Sequence, residues 1–307
     1  MSYLLKTTLS FVIVLFGAVT LSFFLIHMIP GDPVEIMLGD YAAPIDRQAL
    51  ENELGLNKPL IQQYTSYLIS TIQLDFERSL MSKKLVSQEL SNTFPRSALL
   101  GLSSMALALL LGIPLGVLSA LKKNRLFDKL TSFTSLLGFS LPTFCLAPLL
   151  IWLFSIQLDL LPVGDYGGLP HLILPTLTLT TGLLALLIRM TRTSVLDVVS
   201  ENYIQVAKAK GLGPFRIYFS HALKNAAFPI LTISGLMLGS LITGTIIVEV
   251  IFDWPGIGLL LYKAILNRDY TLVQACVLLI SFVYIFVNYF TDLLYVYLNP
   301  KLADEPL

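Results

Sequence analysis

The chain has 307 residues, 55% of them hydrophobic and only 13% charged, against roughly 25% charged in an ordinary soluble protein, so water is the wrong solvent for it. Twenty Lys and Arg balance twenty Asp and Glu, and a net charge of zero excludes a global basic field that would draw in nucleic acid.

A bilayer core about 30 Å thick is crossed by about 20 apolar helical residues, and six runs of that kind occur along the chain. The first, Thr8 to Ile29, outlasts the roughly 7–15 apolar residues of a signal peptide and ends in Ile29-Pro30-Gly31-Asp32-Pro33, with no small-residue cleavage site. Residues 1–29 are therefore predicted to be an uncleaved N-terminal anchor helix. Residues 30–96 are too polar to span and too patterned for a plain linker, which predicts a small extracytoplasmic helical domain. Within it Pro59 suits a helix start, after which Leu60, Tyr64, Tyr67, Leu68 and Ile72 recur at helical spacing and need an apolar surface to cover.

The remaining runs are Ser97 to Leu121, Leu130 to Ile156, Leu172 to Ile188, Ala226 to Ile251 and Val273 to Leu298. They predict a five-helix core over 97–298 and a tail over 299–307. Positive charge in short connections is retained in the cytoplasm. The connection after Leu121 holds Lys122, Lys123, Arg125 and Lys129, and the 189–225 segment adds Arg189, Arg192, Lys208, Lys210, Arg216 and Lys224. The loop from Gln157 to His171 has neither Lys nor Arg. Six spans and this asymmetry place both termini in the cytoplasm.

Small-residue pairs at Gly112/Gly116 and Gly235/Gly239 have the spacing of close helix crossings in lipid. Pro114, Pro142, Pro148 and Pro175 free backbone groups inside spans, which fits either bent helices around a pathway or kinked packing without one. Ionisable groups within the runs are few. His27, Glu249 and Asp292 lie near run ends and read as polar tips reaching the interface, while Cys145 and Cys276 sit in apolar surroundings and read as buried, inert thiols. A proton-coupled carrier would need acidic or His residues at mid-depth and broken helices in matching halves. A nucleotide site would need a G-x-x-x-x-G-K-[ST] loop, and the sequence has none. No nucleophile is paired with a base, so the chain is not read as an enzyme.

Within the basic 189–225 segment two amphipathic halves flank Gly211-Leu212-Gly213-Pro214. In the first, Tyr203, Val206, Ala207 and Lys210 fall at i, i+3, i+4 and i+7, Lys208 and Lys210 suit a helix C-terminus, and Gly211 stops the helix. In the second, Pro214 suits a first helical position and Phe215, Tyr218, Phe219, Ala222, Leu223 and Ala226 form one apolar stripe. This predicts a compact helix pair presented to the cytoplasm, with either a partner protein or lipid headgroups as its cover.

The run Glu201-Asn202-Tyr203-Ile204-Gln205-Val206-Ala207-Lys208-Ala209-Lys210-Gly211-Leu212, followed by His221-Ala222-Leu223-Lys224-Asn225-Ala226, closely resembles the cytoplasmic EAA loop of the dipeptide, oligopeptide and nickel permeases of ABC importers. Gln205, Val206 and Ala207 stand where the general pattern has Glu-Ala-Ala, and Lys224 stands in place of its terminal proline; Gly211 and Leu223 keep their places. The resemblance extends to Pro30-Gly31-Asp32-Pro33, Gly55-Leu56-Asn57-Lys58-Pro59-Leu60, Tyr166-Gly167-Gly168, Phe252-Asp253-Trp254-Pro255-Gly256-Ile257-Gly258 and Asn267-Arg268-Asp269-Tyr270. Asp75-Phe76-Glu77 departs from it, lacking glycine at the third place.

What the resemblance implies is an all-α, MetI-like type I ABC importer transmembrane domain in a bacterial or archaeal inner membrane. The partners implied are a second homologous permease, two ATPase subunits that carry ATP and Mg, and an extracytoplasmic solute-binding protein received by the 30–96 domain. On the same footing, Glu201, Tyr203, Ala207, Lys208, Ala209, Lys210, Gly211, Leu212, His221, Leu223 and Asn225 form the ATPase-coupling loop. Dipeptides or oligopeptides are the first substrate reading and nickel, as a chelate, the second. No cofactor or metal is expected on this chain. From a different class, an ATP-independent carrier or channel remains the alternative.

Overall fold

The computed structural model describes residues 2–28, Gln48, 57–76 and 78–298. Over them the chain is helical: α1 (Ser2–Met28), α2 (Leu60–Gln73), α3 (Val86–Leu121), α4 (Leu126–Ser140), α5 (Thr143–Leu150), α6 (Leu169–Val199), α7 (Asn202–Ala209), α8 (Leu223–Ile251), α9 (Ile257–Leu266) and α10 (Tyr270–Leu298). The one extended pairing among these residues is an isolated antiparallel bridge between Arg78 and Leu85. Pro30-Gly31-Asp32-Pro33, Gly55-Leu56, Glu77 and the 299–307 tail lie outside the described residues, as does the His27 side chain.

Five of the helices are long and apolar enough to cross a membrane, and α4 with α5 makes a sixth candidate. That pair occupies the run read as one span over Leu130 to Ile156, and the disturbance marked by Pro142 is a full break in which the chain turns through 103°. Pro142 disfavours a helical residue before it. Leu141 is accordingly extended at φ −86°, ψ 113°, and α5 starts afresh. Beyond α5 the backbone widens into a π-turn over Ile151–Gln157.

The fourth span is likewise longer than Leu172 to Ile188. Helix α6 has 31 residues, about 46 Å at 1.5 Å per residue, more than a core of about 30 Å needs, with Arg189 and Arg192 towards its C-terminal end.

The glycine pairs mark two close helix crossings. A Cβ on Gly112 would stand 2.8 Å from Leu187 Cβ, and one on Gly116 would stand 2.6 Å from Thr191 Cβ and 2.9 Å from the Ile188 carbonyl, so α3 and α6 touch backbone to backbone. Gly235 and Gly239 of α8 instead make room for side chains of α10, Thr291 and Asn288. Without a hydrophobic drive between helices in lipid, such close packing is what holds spans together. Around the crossings lies one apolar core that includes Leu100, Leu174, Leu187, Val195, Val248 and Trp254. Cys276 is buried, but Cys145 is exposed, against expectation. Helix α5 presses only its Ala147 face into the bundle and turns Cys145 and Phe144 outward.

At the bundle end where α3, α6 and α10 begin, two carboxylates organise the connections. Glu249 does not reach out to an interface as its place near a run end suggested; it is fully buried. Its carboxylate accepts from Ser97 Oγ (2.6 Å), Gly258 N (2.7 Å) and Leu259 N (3.2 Å), which caps α9 from outside. Ser97 Oγ in turn accepts from Ile257 N at 2.8 Å.

Two sequence motifs meet on this knot. Asp165 N donates to Phe252 O at 2.9 Å, Trp254 Nε1 donates to Arg96 O at 3.1 Å, and Tyr166 sits edge-on to Trp254 with the Arg96 guanidinium over its ring. Asp269, also buried, accepts from Ser79 Oγ, Leu80 N, Met81 N and Leu272 N, tying the start of α10 to the turn before α3. Asp292 is exposed.

Candidate functional site

At the opposite end of the bundle, α6 runs on to Val199, and Ser200 with Glu201 turns the chain into α7. Glu201 is extended (φ −70°, ψ 150°) and exposed. Helix α7 ends because Gly211 takes φ +75°, which costs glycine little and other residues roughly 1–2 kcal/mol. Gly211 N donates to Lys208 O (2.9 Å) and Leu212 N to Ala207 O (3.3 Å). These two bonds satisfy the last carbonyls of the helix in a Schellman motif.

The buried face of α7 differs from the expected stripe. Ile204 is fully buried, with Ala207 almost so and Leu212 half-buried against the same core. Tyr203 and Val206 point outward at 41% and 54% exposure, with Ala209, Lys208 and Lys210 on the outside as well. The spacing admitted two apolar faces, and Ile204 decides between them because it, with Ala207, meets the core.

The second half is not a separate helix. Pro214–Arg216 starts a turn that widens into a π-turn over Ile217–Ala222 and continues directly into α8. The wider turn places Ile217 and Ala222, five apart, on the buried side together with Ala226. The predicted stripe of 3.6-residue spacing missed Ile217 for that reason. Tyr218, Phe219 and Leu223 are half-buried, whereas Phe215 is 63% exposed and stacks on Phe219 with centroids 4.4 Å apart. Asn225 Nδ2 donates to Tyr203 Oη (2.6 Å) and to His221 O (3.2 Å), so a side chain of α8 fixes α7 in place.

The site thus brings Tyr203, His221 and Asn225 together directly, and Ala207, Gly211 and Leu212 through the helix end. Glu201, Lys208, Ala209 and Lys210 lie around them on the surface. Among the described residues no three His, Cys, Asp or Glu converge as a metal would require. What remains is a firm knuckle that leaves the apolar Tyr203, Val206 and Phe215 exposed, along with Lys208, Lys210 and Arg216.

Sequence reasoning missed the anchor of this knuckle. Asp128, 4% exposed, holds Arg192 with two bonds, Nε to Oδ1 at 2.6 Å and Nη2 to Oδ2 at 2.8 Å. It also accepts from Ser119 Oγ and from Asn124 N. The end of α3, the start of α4 and the last turns of α6 are thereby locked to one another upstream of α7. Arg192 had counted only as one more positive charge, and nothing near either residue in sequence marks the pair. Removing one partner of a buried pair costs about 3–5 kcal/mol, and Arg192 keeps a quarter of its side chain exposed, so Asp128→Leu should cost about 3 kcal/mol. A thermal melt of the purified chain checks this, and exchanging the two residues (Asp128→Arg with Arg192→Asp) should recover part of the loss.

Comparison with known proteins agrees with this architecture. The family model for the binding-protein-dependent transport system inner membrane component matches residues 112–304, and that for the N-terminal part of such a membrane component matches residues 1–97. The sequence is 37% identical to the glutathione transport system permease protein GsiC of Escherichia coli strain K12 over 302 residues, 98% of this chain and 99% of that one. The protein of that name in Shigella flexneri serotype 5b is 36% identical over the same length. The fold is similar to a chain of the MetNI methionine ABC transporter in an inward-facing conformation, with a TM-score of 0.59 over 68% of this chain and 95% of that one. At 16% identity that likeness speaks to the fold only.

Proposed function

The chain belongs to the binding-protein-dependent transport system inner membrane component family, and from that premise we propose that it forms half of the translocation pathway of an ATP-driven importer of dipeptides or other short peptides. A second homologous permease supplies the other half, two ATPase subunits bind ATP and Mg and supply the drive, and an extracytoplasmic solute-binding protein delivers the cargo to the far end of the bundle. The peptide reading is supported by relatives named for transport of glutathione, itself a small peptide. Both termini and the 201–225 segment then lie in the cytoplasm.

One observation carries the coupling role. Tyr203, Val206 and Phe215 are uncovered apolar side chains on a knuckle that is otherwise tied down by Asn225, by the Schellman turn and by its buried Ile204. A partner cleft that closes on ATP and opens after hydrolysis contacts this tip differently in its two states. That difference is required, since a partner binding both conformations equally shifts nothing. Because two residues join α7 to α6 and Asn225 of α8 bonds to Tyr203 of α7, displacement of the tip moves the cytoplasmic ends of both spans.

The test is assembly. Val206→Glu places a carboxylate in the proposed apolar contact, where desolvation costs several kcal/mol and each 1.4 kcal/mol is tenfold in affinity. Co-purification of the ATPase subunits from native membranes should fall at least about tenfold, while the variant chain still reaches the membrane. Wild-type recovery of the ATPases would remove the knuckle from the interface. A chain that transports in vesicles without ATP would be a carrier or channel instead.

A further inference from the structure

We propose that α2 is an interfacial helix whose Ile61, Ile69 and Ile72 side chains dip into the lipid acyl region at the end of the bundle where α1 ends. This rests on the chain spanning a membrane and not on what it transports.

Helix α2 reads LIQQYTSYLISTIQ and contains no Asp, Glu, Lys or Arg. At 100° per residue its side chains divide into three faces about 120° apart. Tyr64, Tyr67 and Thr71 form the first and are half-buried. Gln62, Ser66, Ser70 and Gln73 form the second, a polar face. Ile61, Thr65, Ile69 and Ile72 form the third, and its isoleucines are 76%, 56% and 82% exposed. A helix lying on a protein in water needs one covered apolar face and no other. A helix held against a protein at a membrane surface needs one face each for protein, water and hydrocarbon.

The depth of α2 is fixed by its protein face. Tyr64 Oη lies 2.7 Å from Thr20 Oγ1, and the rings of Tyr64 and Tyr67 lie 5.3 and 5.5 Å from that of Phe23. The apolar window of α1 runs from Thr7 to Phe24, so these contacts fall in its last turn and a half, where hydrocarbon gives way to headgroups. Two tyrosines at that level occupy the position such rings favour in membranes. The Tyr67 hydroxyl also neighbours Ser22 of α1 and Gln274, in the second turn of α10. Helix α2 therefore reaches across the ends of two spans at one level. Leu21 and Phe24 of α1 are exposed at the same level, and Phe24 stacks on Tyr64 with centroids 6.0 Å apart.

The experiment uses the full chain in vesicles of phosphatidylethanolamine and phosphatidylglycerol, with the exposed Cys145 replaced by Ser. Single spin labels at Ile61→Cys, Ile72→Cys and Ser66→Cys are tested for collision with oxygen, which concentrates in lipid, and with a water-soluble nickel chelate. Labels at 61 and 72 should favour oxygen and the label at 66 the chelate, a reversal of several-fold between faces one-third of a turn apart. Equal exposure of all three to the chelate would put α2 in water and overturn the proposal. So would shielding of 61 and 72 from both reagents, because protein would then cover that face. Adding the solute-binding protein provides a further arm: protection of 61 and 72 from oxygen on its addition would assign the face to that partner.

Discussion

Glu249→Ala should strongly destabilise the purified chain at the end of the bundle where α9 lies. Alanine removes the acceptor for Ser97 Oγ, Gly258 N and Leu259 N at once, in a place with no solvent exposure. Each buried donor left without a partner costs about 1–3 kcal/mol. The sum, read as a fall of roughly 10 °C in the melting temperature in detergent, is a large share of any domain's stability. Glu249→Gln is the control. Its amide oxygen can still receive the two backbone donors of α9, and its amide nitrogen can donate to Ser97 Oγ, so most of the network survives and the melting temperature should drop far less. Equal losses in the two variants would mean that Glu249 matters as a charge and not as an acceptor.

Glu249 also shows what the sequence leaves out. The spans were legible because length and hydropathy act locally: about twenty apolar residues must cross the bilayer wherever they occur. A buried carboxylate depends instead on partners far along the chain. Ser97 lies 152 residues from Glu249, and Arg192 lies 64 from Asp128. From the sequence alone Glu249 looks like a tip at a run end, and Asp128 is one residue of a connection.

The break at Pro142 was partly legible. Proline announces that a helix is disturbed but not whether it bends or stops, and here the extended Leu141 makes it a 103° turn. In the 189–225 segment the end of α7 followed from Gly211. The buried face did not, because Tyr203 and Val206 can cover an apolar surface as Ile204 and Ala207 do, and only packing against the turn that leads into α8 selects between them. The exposed pair is then available for a partner, so the misread stripe and the proposed docking tip are the same residues.

Gly211→Pro should abolish import in the assembled transporter. Proline holds φ near −65°, whereas residue 211 stands at +75°, so the chain cannot leave α7 in its present direction. The substitution also deletes the N–H that donates to Lys208 O. Strain of about 3 kcal/mol or more is relieved most cheaply by unwinding the last turn of α7, which moves Lys208 and Lys210 and frees Ala207 from the core. The expected result is uptake reduced by about a hundredfold, with ATP hydrolysis persisting but no longer rising when loaded binding protein is added. Gly211→Ala pays only the left-handed penalty of roughly 1–2 kcal/mol, keeps the N–H, and meets no atom within 4 Å, so it should retain most uptake. The contrast separates geometry from bulk. If the proline variant imports normally, α7 does not transmit the ATPase cycle; if the alanine variant fails as badly as proline, the left-handed turn itself is what the partner reads.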